Sequence, residues 1–128
     1  MTTSNKDRLS FDLTLNSEEV ELTTADGESL VYEIRELTGK ERDKYLNTLS
    51  KRSRTLPDGT TKINNFDNLQ ADLLTRTMFA KTDGKYEAVK VDDLQAWPAR
   101  VQGELFKLAQ SLSGLDTKKD DEDDEGND

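Results

Sequence analysis

A chain of 128 residues has room for one domain, and with 32% hydrophobic and 35% charged residues it can build a modest core under a very polar surface. It has no cysteine and no histidine, which removes disulfides, thiolate metal sites and the commonest general base. Its net charge of −9 surrounds it with a field of the wrong sign for a general nucleic-acid binder or for an anionic membrane surface.

The charge is unevenly placed. Eight acidic residues and two lysines fall between Asp116 and Asp128, so this end holds −6 of the −9 and the rest of the chain −3. The expected organisation is a flexible N-terminal arm over 1–18, with room for a short strand, a single α+β domain over 19–115, and a disordered acidic tail over 116–128. The segment MTTSNKDRLS lacks the apolar centre of a signal peptide and no run of about 18 apolar residues occurs, so a soluble cytoplasmic protein is expected.

In chain order, Phe11, Leu13 and Leu15 alternate with Asp12 and Thr14, the two-residue period of a half-buried strand. Val20–Thr24 and Ser29–Glu36 flank Ala25-Asp26-Gly27-Glu28 and read as a β-hairpin, with Leu30, Tyr32 and Ile34 on the packed side and Val31, Glu33 and Arg35 on the wetter side. Thr38 with Glu41 forms a capping box that starts a helix, whose narrow stripe is Tyr45, Leu46 and Leu49 and which ends near Lys51–Arg54. The polar stretch through Leu56-Pro57-Asp58-Gly59 to Asn65 reads as a mobile loop.

Phe66, Leu69, Leu73 and Ala80, widened by Leu74 and Met78, predict a core helix over Phe66–Ala80. Asp83-Gly84 turns the chain, Tyr86–Val91 reads as a short extended piece, and Asp92 caps a single turn with Gln95 at the matching position. The last helix lies within Trp97–Leu115. Pro98 suits its first turn, Val101, Leu105, Leu108 and Leu112 form its apolar stripe, and Gly114 closes it. The fold class is therefore α+β: an N-terminal hairpin or small antiparallel sheet packed by three main helices.

Candidate functional residues are few. No nucleophile–base pair, phosphate-cradling glycine loop or metal-ligand set occurs, so neither catalysis nor a cofactor nor a metal is expected. Asp121, Asp123, Glu125 and Gly126 have the spacing of the first half of a calcium loop without the second half, and read as a solvated tail. Six residues are candidates for partner contact: Tyr45, Phe79, Trp97 and Phe106 as large aromatics, and Arg52 and Arg54 as cations able to grip an acidic partner or the tail. For Trp97 the core is the favoured place, for Phe106 core and interface are balanced, and Phe79 points to an interface. For the two arginines the competing role is an ordinary helix C-terminus. Gly103, inside the last helix, marks either a tolerated cost or a closely passing backbone.

Taken together, RELTGKERDKYL from Arg35 to Leu46, LLTRT at Leu73, Asp83-Gly84, WPA at Trp97 and LFKLAQSLSGL at Leu105 resemble a tail assembly chaperone of long-tailed bacteriophages, over about Val20 to Leu115. The resemblance implies a non-enzymatic protein of the host cytoplasm, absent from the finished virion, that coats the tape measure protein, helps recruit the tail tube protein and self-associates. It also implies a minor longer product made by ribosomal frameshifting, for which Thr117-Lys118-Lys119 is a plausible place. It brings no catalytic residues and no defined binding motif. Two other roles compete: a small virion structural or head-tail connector protein, and an acidic anti-host regulator. The second is disfavoured because the excess acid sits at one end of the chain rather than over a folded surface.

Overall fold

The structure of the protein, a computed structural model, describes residues 8–115. Within them the elements are β1 (Ser17–Thr23), β2 (Ser29–Arg35), α1 (Gly39–Lys51), β3 (Ser53–Thr55), β4 (Thr61–Ile63), α2 (Leu69–Thr77), β5 (Met78–Thr82), β6 (Lys85–Ala88), α3 (Val91–Ala96) and α4 (Ala99–Leu112). The fold is α+β. A four-stranded antiparallel sheet of order β1-β2-β5-β6 carries helices on one side, and β3 and β4 pair as a separate ribbon. The acidic tail, its half calcium loop and the lysine pair lie outside the described residues.

β1 and β2 form the expected hairpin, in register from Ser17↔Arg35 to Thr23↔Ser29. Gly27, at φ 90°, donates its N–H to the Thr24 carbonyl at 2.9 Å and closes the turn. The half-buried strand expected at Phe11, Leu13 and Leu15 is not formed. Phe11 and Leu13 are 81% and 94% exposed, because a two-residue period makes a strand only where a neighbouring strand exists. Asn16 extends the line of β1 instead: its carbonyl accepts from Glu36 N–H at 2.8 Å and its N–H donates to Glu36 Oε1 at 2.7 Å. That carries the preceding residues off the end of the sheet.

Thr38 caps α1 by accepting from Glu41 N–H at 3.3 Å. The return half of the capping box is replaced, since the Glu41 carboxylate takes a charged donor, Arg76 Nη1 at 2.8 Å. Arg76 also pairs with Asp72 at 3.3 Å, so one guanidinium ties α1 to α2. Burial works against its charge, and the hydrogen bonds to Asp72 and Glu41 more than offset this, holding its pKa above the ordinary value.

The polar stretch after α1 is a hairpin rather than a mobile loop. Leu56-Pro57-Asp58-Gly59 is a tight turn in which Gly59, at φ 91°, donates to the Leu56 carbonyl at 2.9 Å. Asp58 Oδ1 accepts from Thr60 N–H at 3.0 Å and Thr60 Oγ1 at 2.7 Å. With the turn fixed, Thr55 faces Thr61 and Arg54 faces Lys62 across the ribbon. Polarity alone says loop here; the threonines on both sides of the turn supply the strand tendency that polarity hides.

The helix predicted over Phe66–Ala80 is shorter at both ends. It begins at Leu69 after Asn68, which sits at φ 56°, and Phe66 is 70% exposed rather than in the core. It stops at Thr77, and Met78 starts β5. The cause lies downstream: Asp83 and Gly84 both take positive φ, a two-residue turn whose twist requires a strand on either side. β6, Lys85–Ala88, overlaps the extended piece expected over Tyr86–Val91 but stops at Ala88, and Val91 already opens α3. Asp92 lies in the first turn of α3 and does not cap it; Lys90 holds the cap position with no side-chain hydrogen bond.

Pro98 stands at the cap position of α4, one residue before the first turn expected for it. The other end follows expectation: Gly114 takes φ 71°, its N–H donates to Ser111 O at 3.2 Å, and Leu115 N–H donates to Gln110 O at 2.9 Å. Ser113 Oγ accepts from Leu37 N–H at 3.0 Å, which pins this end of α4 beside the end of β2. Around Gly103 no atom comes within 4 Å of where a Cβ would stand, so no backbone passes close and the glycine is a tolerated cost. The core gathers Ile34 and Met78 from the sheet, Leu73 and Leu74 from α2, Leu94 from α3, and Leu105 and Ala109 from α4. Thr77 is buried among them with its hydroxyl donating to Leu73 O at 3.0 Å.

Candidate binding surfaces

The six residues picked for partner contact do not converge on one surface. Tyr45 is a core residue, 3% exposed, and burial pushes its phenol pKa up with the nearby Asp72 charge adding to the shift. The structure corrects its candidacy: the α1 stripe is narrow, so its single aromatic faces inward. Trp97 is half-buried and packs edge-on against Tyr32, ring centroids 5.6 Å apart at 72°. Phe106 is half-buried against the same core. Arg52 closes the C-terminus of α1 and donates to the Asp67 carbonyl, the structural role weighed against partner contact. Arg54 is exposed on the ribbon, beside a shallow groove that Leu46 and Leu49 also line.

Phe79 lies elsewhere. Because Met78 points into the core, the next residue of β5 points to the opposite side of the sheet, and Phe79 faces Ala88 of β6 and Glu33 of β2 there. Arg35 shares that face. Its Cζ lies 4.3 Å from the centre of the Phe79 ring and 4.7 Å from that of Tyr86, so one guanidinium sits against two aromatic rings. Glu33 Oε1 holds Arg35 Nε at 2.5 Å, and Lys81, opposite Tyr86, reaches Glu19 at 3.1 Å. The hydrogen bond to Glu19 is the largest cause raising the Lys81 pKa.

This outer face is open. Every sheet residue of the core belongs to the inner face, whereas Val31 and Tyr86 are 39% and 41% exposed on the outer one. Tyrosine, phenylalanine and arginine, here side by side with Glu33 holding the arginine, are residue types enriched at protein interfaces, and tyrosine and arginine are among those that dominate binding energy there. The arrangement presents apolar ring surface beside charge-assisted donors.

Sequence reasoning finds Phe79 and misses Arg35, Lys81 and Tyr86. A signal for them exists: period-two reading of β2 puts Arg35 on the wetter face, and Asp83-Gly84 folds β5 against β6 so that Tyr86 meets Lys81.

A second surface lies between β1 and α4. Val20, Leu22, Val101 and Leu105 line a groove of about 480 Å³, with Glu21, Arg100 and Glu104 beside them. β1 is an edge strand, so the outer row of its backbone N–H and C=O groups borders this groove. Among the described residues, no group of three or more Asp and Glu side chains is placed to hold a metal ion, and no helix is long and apolar enough to cross a membrane. No family model matches the chain, and no curated protein or solved structure shows significant similarity to it.

Proposed function

We propose that this protein is a non-enzymatic tail assembly chaperone of a long-tailed bacteriophage. It binds the tape measure protein, helps gather tail tube subunits around it, self-associates, works in the host cytoplasm and is left out of the virion. The observation that carries this reading is the open outer face of the four-stranded sheet, where Arg35 lies against Phe79 and Tyr86 with Val31 exposed beside them. A chaperone without nucleotide chemistry needs a preformed surface that covers apolar side chains of its client, and aromatic rings with a shared guanidinium supply one at low cost in side-chain ordering. The sequence resemblance over Val20–Leu115 supplies the biological setting.

Affinity capture of the tagged protein from phage-producing cells tests this, with mass spectrometry of the captured material and, separately, of purified virions. The expected result is a long helical phage protein in the capture and none of this chain in the particles. If the chain is itself abundant in virions, it is a structural part of the particle and the chaperone role fails.

A further inference from the structure

The N-terminal arm presents a pattern that the single chain does not use. Leu9, Phe11, Leu13 and Leu15 alternate strictly with Ser10, Asp12, Thr14 and Asn16, which places four large apolar side chains on one face of an extended segment. Three of them, Leu9, Phe11 and Leu13, are 83%, 81% and 94% exposed. Such a run of bare apolar side chains marks an interaction site.

The chain also holds an unfilled place for a strand. β1 is the edge of the sheet, seven residues long, and the apolar groove of Val20, Leu22, Val101 and Leu105 lies alongside it. The arm does not lie on its own β1, whose free edge has no strand beside it among the described residues. Both backbone groups of Asn16 are bonded to Glu36, so Asn16 continues the line of β1 and the residues before it run on past the end of the strand. The arm therefore leaves the molecule at the end of the very strand whose edge is open.

We propose that residues 9–15 of one copy add as a strand along β1 of a second copy, with Phe11 and Leu13 seated in the β1–α4 groove. The faces fix the register: an antiparallel addition that sets Phe11 opposite Leu22 and Leu13 opposite Val20 brings residues 10–15 against Glu18–Thr23, six of the seven residues of the edge. Strand addition supplies main-chain hydrogen bonds to the open edge and the alternate side chains set the register. A reciprocal exchange buries a phenylalanine, about 150–250 Å² of surface, together with leucines from each partner. It depends on the arm and the edge alone, and not on the tail assembly role.

Sedimentation equilibrium of the full chain at micromolar concentration, beside the double variant Phe11→Asp, Leu13→Asp, is the first test. The expected result is a dimer or larger assembly for the natural chain and a monomer for the variant, with the helical circular dichroism signal retained because both side chains are exposed in the single chain. A monomeric natural chain overturns the exchange, and so does an assembly that survives the double substitution.

Because the sequence has no cysteine, position can be read separately. Leu13→Cys chains mixed with Val101→Cys chains of different mass are expected to yield a mixed disulfide on mild oxidation; homodisulfides alone overturn the placement. A chain that stays monomeric yet captures a long helical phage protein would end the arm exchange and the proposed self-association, and leave client binding standing.

Discussion

The two faces of the four-stranded sheet are built from alternate residues of the same strands, and they differ in what holds them. Ile34 and Met78 on the inner face are fully buried against α2, α3 and α4. On the outer face Val31 is open, and Arg35 and Phe79, each one residue along the chain from Ile34 and Met78 respectively, lie together with Tyr86. Burial of a large apolar side chain is worth about 1.5–3 kcal/mol. An exposed cation–aromatic contact is worth about 0.5–1 kcal/mol and a surface ion pair about 0–1 kcal/mol. The inner face therefore accounts for folding. The outer face contributes little to it, which leaves its aromatic and charged residues free to serve a partner.

The largest effect is expected on the inner side. Leu74→Ala removes a fully buried side chain and should cost about 2–5 kcal/mol in urea unfolding; a loss below about 1 kcal/mol would mean that the helices are loosely seated. Arg76→Ala breaks the pairs to Glu41 and Asp72, but the group is 19% exposed, so a loss of about 1–2 kcal/mol is expected after allowance for solvent screening. Gly103→Ala should raise stability by about 0.5–1 kcal/mol, since nothing lies where the new methyl group goes and the helix gains propensity. A destabilised Gly103→Ala would reveal a close neighbour there.

On the outer side, Arg35→Ala should cost no more than about 1 kcal/mol. If it cost as much as Leu74→Ala, the contrast between the faces would collapse. The smallest effect concerns two turn aspartates. The Thr24 hydroxyl lowers the Asp26 carboxyl below its ordinary 3.8, and the Thr60 N–H and hydroxyl do the same for Asp58. A carboxyl with a lowered folded pKa adds stability that is present above 3.8 and lost as the pH falls through the folded value. Carbon-detected NMR titration should therefore place both midpoints below the ordinary aspartate value, and Thr60→Val, which keeps the backbone donor and removes the hydroxyl, should move Asp58 part of the way back up.

Much of the inner face is legible in the sequence because it obeys one rule at a time. Val101, Leu105, Leu108 and Leu112 follow a single helical period, and Ala25-Asp26-Gly27-Glu28 joins two alternating runs. The misreadings fall where two rules overlap. Leu69–Ala80 satisfies a helical period through Ala80, yet the last three of these residues also begin a strand, and the turn at Asp83-Gly84 decides the matter from outside the window. The ribbon after α1 is too polar to announce itself, and its order comes from the Gly59 turn and paired threonines rather than from burial.

The outer face is harder still. Phe79 is visible as an aromatic out of place, but its neighbours Arg35 and Tyr86 come from strands 44 and 7 residues away in the chain, and only the sheet order brings them to it. Tyr45 shows the opposite limit. An aromatic on a narrow stripe has the composition of an interface and the position of a core, and the packing of α1 against α2 settles it as core.

The most direct test of the outer face is a binding titration. The partner captured from phage-producing cells is titrated with the natural chain and with Arg35→Ala, Tyr86→Ser, each checked first for an unchanged melting temperature. The expected result is a loss of affinity of about tenfold or more, equivalent to about 1.4 kcal/mol at a single interface anchor. Equal affinity for the two chains, with both folded, would show that the partner binds elsewhere and that the open face is only a surface.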